Sequence, residues 1–226
     1  MITDRESAVR GVLFDFSGTL FHIESAVEAV RAALGPDFVG RAAELDRLGA
    51  INGSTASTGM PPHLHDVWHR RDLSSQAHRA AYSGLARHAG LTAEQADALY
   101  ERGIRPEAWH PYPDTVEVLS RLRDAAVPVA IVSNIGWDPR PVLQAFGVAE
   151  LIHALVLSDE RGVTKPDPSI FRQACTEIDR SPRECVMIGD NPEHDGAAVA
   201  LGAGFVLVPA DPAQRRDDEL LRAARV

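Results

Sequence analysis

The sequence predicts an α/β protein, a doubly wound parallel sheet with a small α-helical domain inserted near the start of the chain. From Val127 onward, apolar runs of strand length alternate with segments of helical periodicity. That alternation is typical of a parallel sheet with right-handed crossovers. Earlier in the chain, a short apolar run ends at Asp15, and the following segment, 24–105, shows helical but no strand periodicity.

The first predicted strand is the apolar run Gly11-Val-Leu-Phe14, which ends at Asp15. Gly18 then allows the backbone to turn sharply. Open α/β sheets bind their ligands at the carboxyl ends of the strands. Asp15 is therefore the first candidate for catalytic chemistry.

The inserted segment is predicted to contain several helices separated by turn signals. Thr92 and Gln95 have the spacing of a capping box, which marks a helix start. We expect a core domain of residues 1–22 and 106–226, and a helical domain of residues 23–105. Within the insertion, the pattern predicts helices at 25–34, 38–51, 74–88 and 92–102, and a loop at 52–59.

The rest of the chain supplies the remaining strands and helices of the core. Strands are predicted at 127–132, 154–157, 185–188 and 205–208. Helices are predicted at 115–125, 139–146, 169–178 and 193–201, and a partly helical tail at 211–226.

Composition and charge exclude several classes of function. The chain has 226 residues and a net charge of -9, which argues against binding nucleic acid or an anionic membrane. Its two cysteines argue against a disulfide framework, and the charged N-terminus lacks the apolar core of a signal peptide. We expect a cytoplasmic protein, a monomer or homodimer, that acts on a small molecule.

Polar residues follow the predicted strands at Asp15, at Ser133-Asn134 and at Asp190, and Lys165 lies in a turn before a helix. In a parallel sheet these strand ends share one edge. Two neighbouring carboxylates need a cation between them or a shared proton, and oxygen ligands without cysteine favour Mg²⁺. A lysine and a serine hydroxyl complete a phosphate cradle. These residue types indicate metal-assisted phosphoryl transfer with a carboxylate nucleophile.

Four motifs in this order resemble the haloacid dehalogenase (HAD) superfamily: Asp15-Phe-Ser-Gly-Thr19, Ser133-Asn134, Lys165-Pro166 and Gly189-Asp-Asn-Pro-Glu-His-Asp195. Four ordered motifs are far more specific than one. The resemblance covers nearly the whole chain, and the helical insertion is similar to the family's α-helical cap between the first two motifs. It implies a Rossmannoid core and Mg²⁺-dependent hydrolysis of a small phosphorylated metabolite.

The resemblance also implies a role for each matching residue. Asp15 would attack the substrate phosphorus and form an aspartyl-phosphate. Asp15, the main-chain carbonyl of Ser17 and Asp190 would hold the Mg²⁺.

The other matching residues would assist the nucleophile. Thr19, Ser133 and Asn134 would bind the substrate phosphoryl group. Lys165 would neutralise the nucleophile and the transferring group. Asp195 would orient Lys165 or a water on the metal.

Ser17 departs from the family pattern, in which phosphatases usually carry a second aspartate at this position. That aspartate protonates the leaving group and then deprotonates the attacking water, and its loss typically costs on the order of 10²–10⁴ in rate. The protein is then a slow phosphatase, or His22 or His194 replaces the missing acid.

Two further interpretations of Ser17 stay open. The leaving group needs no proton, as in an acyl phosphate or an activated phosphonate. Alternatively, the aspartyl-phosphate is long-lived and serves a phosphotransferase or a switch.

A phosphate-binding regulatory protein with little turnover is an alternative function from another class. Dehalogenation of haloacids fits less well, because family members with that activity do not use Mg²⁺ and Asp190 with Asp195 suits a metal site.

Overall fold

The computed structural model describes residues 9–51, 60–215 and 217–225, and it confirms the predicted α/β fold. The predicted loop at 52–59 lies outside the described residues. The strands are β1 Gly11–Phe14, β2 Phe21–Ile23, β3 Trp109–Pro111, β4 Val129–Ser133, β5 Ala154–Leu157, β6 Cys185–Gly189 and β7 Gly204–Leu207.

Helices flank and connect these strands. The α-helices are α1 Ala26–Leu34, α2 Ala42–Arg47, α3 His65–His69, α4 Ser75–His88, α5 Ala93–Gly103, α6 Thr115–Asp124, α7 Arg140–Ala145, α8 Ser158–Arg161, α9 Pro168–Glu177 and α10 Glu219–Ala224. Short 3-10 helices cover Pro36–Arg41, Pro62–Leu64, Arg71–Leu73, Pro106–Ala108, Ala149–Leu151, Pro182–Glu184, Asp195–Leu201 and Pro212–Gln214.

Within the described residues, the main sheet has the strand order β5-β4-β1-β6-β7, and each neighbouring pair is parallel. The chain runs from the central strand β1 outward through β4 to β5, and then returns to the other side of β1 for β6 and β7. The strand order therefore reverses at β1, and in such sheets the ligand-binding crevice lies at that reversal.

The strand register aligns the ends of the three central strands. Phe14 of β1 pairs with Ile131 of β4 and with Ile188 of β6. The N–H of Asp15 donates to the Ile188 carbonyl at 3.0 Å, so the ladder continues one residue past β1. Asp15 and the residues that follow β6 are thus brought to one edge of the sheet.

Apolar side chains cover both faces of this sheet. On one face, Leu13, Val132 and Met187 pack in a cluster with the buried side of α9, which includes Ile170 and Phe171. Alternation along each strand directs the neighbouring residues to the other face. There α10 contacts both β6 and α6. The strands β1, β4 and β6 are continuous apolar runs because both of their faces are buried, whereas the edge strand β7 is partly exposed.

The chain divides into two compact units. We call them the sheet unit, Met1–His22, Pro111–Ser133 and Gly147–Val226, and the helical unit, Ile23–His110 and Asn134–Phe146. The first boundary between the units lies after His22, where the sequence predicts it. The chain re-enters the sheet unit at Pro111, whereas the expected position is residue 106. The segment Asn134–Phe146, expected in the core, groups with the helices. The assignment of these units as core and cap domains stays a prediction.

The helical unit has its own apolar core, in which Leu45, Leu85 and Leu99 are buried. The predicted capping box at the start of α5 is confirmed: Gln95 N–H donates to the Thr92 hydroxyl at 3.2 Å, and the Thr92 N–H donates to the Gln95 side chain at 2.9 Å. None of the helices in the described ranges is long and apolar enough to cross a membrane.

Several local features differ from the expectation. Strands β2 and β3, which pair with each other, were not predicted, because three residues are too few to show alternation. The predicted helix at 193–201 is a 3-10 helix, Asp195–Leu201. The expected partial helix in the tail is α10.

Candidate active site

A buried lysine joins two carboxylates at the edge of the sheet. The Nζ atom of Lys165 lies 2.6 Å from Asp15 Oδ1 and 2.6 Å from Asp195 Oδ1. Lys165 is 4% exposed and Asp195 1% exposed. These contacts bring together residues that the sequence separates widely, as the predicted constellation requires.

Asp190 adds a third carboxylate next to this pair. Asp15, Asp190 and Asp195 each offer one oxygen such that the three oxygens lie within 4.8 Å of one another. The Thr19 hydroxyl donates to Asp190 Oδ1 at 3.4 Å. These three acids surround Lys165, which hydrogen-bonds two of them, and the excess of negative charge within this cluster favours either a bound cation or a shared proton.

The turn after β1 sets the position of Asp15. The N–H groups of Leu20 and Phe21 both donate to the Phe16 carbonyl, at 3.1 and 2.9 Å. Gly18 has a φ of +87°, and its N–H donates to the Phe21 carbonyl at 2.7 Å. A Cβ atom at Gly18 would lie 2.7 Å from Asp190 Oδ2. Glycine is therefore needed here both for the backbone conformation and for the approach of Asp190.

A second glycine makes room for Asp195. A Cβ atom at Gly189 would collide with the Asp195 carboxylate. Asp195 Oδ2 accepts from the Asn191 N–H at 3.0 Å, while the Asp195 N–H donates to the Asn191 carbonyl at 2.8 Å. Since Oδ1 accepts from Lys165, both carboxylate oxygens of Asp195 are engaged by the protein. This arrangement suits a residue that orients Lys165.

Burial and charge perturb the titration of these groups. Burial raises the pKa of Asp15 to about 7, against the opposing charge of Lys165. The pKa of Asp190 is also raised, first by burial and then by the charge of Asp195. Burial alone would lower the pKa of Lys165, but the charges of Asp15 and Asp195 outweigh it and raise that pKa. Lys165 thus stays protonated, whereas the pKa of Asp15 is raised to near neutral pH.

The donor set fits a hard divalent cation. Every ligand atom in the cluster is a carboxylate oxygen, with no histidine or cysteine in the group, and such donors select Mg²⁺ or Ca²⁺ over softer metals. Asp195 already bonds Lys165 and Asn191. Asp15 and Asp190 are therefore the side chains best placed to hold a cation.

The remaining predicted residues lie in different settings. Ser133 is the buried last residue of β4, at the same edge of the sheet as Asp15. Ser17 is exposed and forms an isolated bridge with Phe21. Asn134 belongs to the helical unit, whereas Ser133 belongs to the sheet unit. The substrate-binding roles of Thr19, Ser133 and Asn134 and the metal role of the Ser17 carbonyl stay predictions.

Of the two histidines considered as replacement acids, His22 packs its ring at 5.1 Å from the ring of Tyr112. His194 is half-buried, and its N–H donates to the Asn191 side chain at 3.0 Å. Both belong to the sheet unit. Their part in proton transfer stays a prediction.

Sequence reasoning missed Arg215, whose guanidinium donates through Nη2 to the Thr19 carbonyl. Its carbon Cζ also lies 3.9 Å from the centre of the Tyr112 ring. The surrounding sequence, a charged segment near the end of the chain, gives no motif that would single it out. Only the folded structure brings this arginine to the turn that follows β1.

Comparison with known proteins agrees with this arrangement. The family model described as haloacid dehalogenase-like hydrolase matches residues 9–202. A phosphoserine phosphatase from Thermus thermophilus is 31% identical over 166 residues, which cover 69% of this chain and 66% of that relative. An (S)-2-haloacid dehalogenase 1 from a Pseudomonas species is 28% identical over 214 residues, covering 88% of this chain and 84% of that protein.

A solved structure described as a dehalogenase superposes with a TM-score of 0.71 at 24% identity, covering 95% of this chain and 96% of that one. At this identity the likeness shows the fold alone. The family model, by contrast, spans most of the chain and includes Asp15, Lys165, Asp190 and Asp195. The chain belongs to the haloacid dehalogenase-like hydrolases.

Proposed function

We propose that the protein is a phosphatase that hydrolyses a small phosphorylated metabolite through an aspartyl-phosphate on Asp15. The contact of Lys165 with both Asp15 and Asp195, at 2.6 Å each, is the observation that carries this proposal. It fixes the orientation of the Asp15 carboxylate, the proposed nucleophile. The phosphatases among the relatives support the same class of reaction.

Asp15 and Asp190 would hold a Mg²⁺ ion, with the Ser17 carbonyl as a further ligand, and the ion would neutralise charge on the phosphoryl group. The residues of the chain supply the rest. Lys165 holds Asp15 in one orientation and adds positive charge beside the transferring group. Asp195 keeps Lys165 in place and protonated.

The proposed reaction has two steps, and each step forms one bond to phosphorus and breaks another. A carboxylate oxygen of Asp15 attacks phosphorus, and the bond between phosphorus and the substrate's bridging oxygen breaks. The leaving oxygen takes up a proton from solvent. Water then attacks the phosphorus of the aspartyl-phosphate, the bond between phosphorus and the Asp15 oxygen breaks, a proton of the water passes to solvent, and phosphate leaves with the Asp15 carboxylate restored.

Ser17 limits the proton transfers in both steps. A serine hydroxyl is a poor acid and a poor base near neutral pH. Substrates whose leaving group is stable as an anion therefore suit this site best. Acyl phosphates and aryl phosphates have such leaving groups, whereas alkyl phosphates do not.

Dehalogenation of a 2-haloacid is a second candidate, because the (S)-2-haloacid dehalogenase 1 matches over 88% of this chain. A halide leaves without a proton, so this reaction also tolerates Ser17. The cluster of Asp15, Asp190 and Asp195 favours the phosphatase, because its excess negative charge suits a cation and a phosphate rather than a halide. Chloride release from 2-chloropropionate without divalent metal would favour dehalogenation.

The first prediction concerns the nucleophile. With an aryl phosphate and Mg²⁺, the wild-type protein should release phosphate over many turnovers, and Asp15→Asn should lose at least about 10³-fold in kcat because an amide cannot form the acyl phosphate. The control Asp124→Asn changes an exposed carboxylate of the sheet unit and should match wild type. Full activity in Asp15→Asn would refute the nucleophile assignment. Phosphate binding with no turnover in wild type would instead indicate a regulatory protein.

The second prediction concerns Ser17. Because Ser17 is exposed and lies two residues after Asp15, Ser17→Asp should add the missing acid and speed hydrolysis of alkyl phosphates by roughly 10-fold or more, with a smaller gain for aryl phosphates. The ratio of kcat/KM for the two substrate classes measures this effect. An unchanged ratio would mean that another group, such as His22, already supplies the proton.

The third prediction concerns Gly18. Gly18→Ala should reduce kcat/KM by on the order of 10²-fold, because the added methyl would displace the Asp190 carboxylate and strain the backbone. Titration calorimetry with Mg²⁺ alone should show weaker binding by the same variant. Gly40→Ala is the matched control, since a Cβ there meets no atom within 4 Å. Equal Mg²⁺ affinity in both variants would contradict the placement of Asp190.

The fourth prediction concerns the stability of the metal-free protein. Asp15 titrates near its ordinary value of 3.8 when unfolded and at about 7 when folded, so between these values the folded state retains a proton that the unfolded chain has lost. Stability should therefore fall as pH rises through this window. Asp15→Asn removes this pH dependence, so the stability of the variant relative to wild type should rise by a few kcal/mol between pH 4 and pH 8, although the variant has lost one carboxylate partner of Lys165. Urea unfolding in EDTA at both pH values measures this relative stability, and a value that stays constant or falls as pH rises would contradict the raised pKa of Asp15.

A further inference from the structure

Arg215 reaches from the C-terminal part of the sheet unit to the turn that carries the nucleophile. Its Nη2 atom donates to the main-chain carbonyl of Thr19, four residues after Asp15. Its guanidinium stacks on the ring of Tyr112, with Cζ 3.9 Å from the ring centre. An arginine stacked on an aromatic face loses less conformational freedom when it donates a hydrogen bond.

The surroundings of Arg215 are unusual for a purely structural arginine. Its Nε and Nη1 atoms are buried and have no hydrogen-bond partner among the described residues. Burying a guanidinium with two unused donors is unfavourable. Burial lowers the pKa of Arg215, and the neighbouring Tyr112, Asp114 and Asp190 act against that shift. The positive charge of Arg215 thus acts on Asp190, whereas Lys165 contacts Asp15 and Asp195.

Other contacts hold the same turn from the same side. The Leu20 carbonyl accepts from the Tyr112 N–H at 3.1 Å and from the Thr115 hydroxyl at 2.7 Å. The Tyr112 hydroxyl donates to the Ala210 carbonyl, which ties the chain leading to Arg215 to this region. Two consecutive carbonyls of the turn, those of Thr19 and Leu20, are thus fixed from outside.

We propose that Arg215 is a positioning residue, which holds the turn 15–20 in the conformation that places Asp15 and the Thr19 hydroxyl for reaction. It acts through the Thr19 carbonyl and without contact to the reacting atoms. The expected effect of Arg215 on catalysis rests on the proposed phosphatase function. The expected effect of Arg215 on the conformation of the turn does not depend on that function.

The test compares Arg215→Met, which removes the charge and the donors, with Arg215→Lys, which keeps the charge and one donor group. Arg222→Met is the matched control, because Arg222 lies in the same C-terminal segment with an exposed side chain paired to Asp218. Hydrogen exchange of the peptide covering 15–21 is measured in all four proteins by mass spectrometry. The kcat and KM for an aryl phosphate with Mg²⁺ are measured in parallel.

In Arg215→Met, amide exchange in the turn should accelerate roughly tenfold while β4 and α9 exchange as in wild type, because one hydrogen bond that holds the turn is lost. Its kcat should fall by about tenfold or more with a smaller change in KM. Arg215→Lys should restore most of both properties, and Arg222→Met should match wild type.

Unchanged exchange in the turn of Arg215→Met would overturn the proposal. So would faster exchange spread evenly over the sheet unit, because that result would mean general destabilisation. If wild type hydrolyses no phosphate ester, the phosphatase proposal fails, and the exchange measurements still decide whether Arg215 holds the turn.

Discussion

The site depends on one buried amine between two carboxylates. Lys165 is charged at a place where burial opposes charge, and it remains so because Asp15 and Asp195 each accept from it at 2.6 Å. Removing one partner of such a buried group leaves an uncompensated charge, which is strongly unfavourable. Each of the three residues therefore needs the other two. This mutual dependence ties together three segments of the chain that are far apart in sequence.

That contact in turn constrains the backbone around it. The parallel register of β1 with β6 brings the segment after Gly189 next to Asp15. The absence of side chains at Gly18 and Gly189 then allows Asp190 and Asp195 to approach the strand ends. These features work against stability, since they gather like charges in a buried place and use flexible residues at turns. Both faces of the sheet are packed with apolar side chains, and this core holds the unfavourable cluster in position.

Much of this arrangement could be predicted from the sequence, because its signals are local. Asp15 and Asp190 follow apolar strands, and parallel strands place those ends together, so their proximity could be predicted without a structure. Lys165 was added to the predicted cluster from its turn before a helix, and the structure places it between Asp15 and Asp195. Arg215 could not be found in this way, since its contacts with the turn arise only from tertiary packing. The division of the chain between Ser133 and Asn134 is also a property of packing, and no change in composition marks it.

The position of β1 has a consequence for how the protein is made. It precedes both of its neighbours in the sequence, yet it lies at the centre of the sheet, where Val12 pairs with Val129 on one side and with Val186 on the other. During synthesis both edges of β1 therefore stay unpaired until β4 has been made, and one edge stays unpaired until β6 has been made. Such a strand is a template for pairing with other chains, and contacts this distant in sequence form slowly. The strand that ends at Asp15 therefore gains its second neighbour only when β6 has been made.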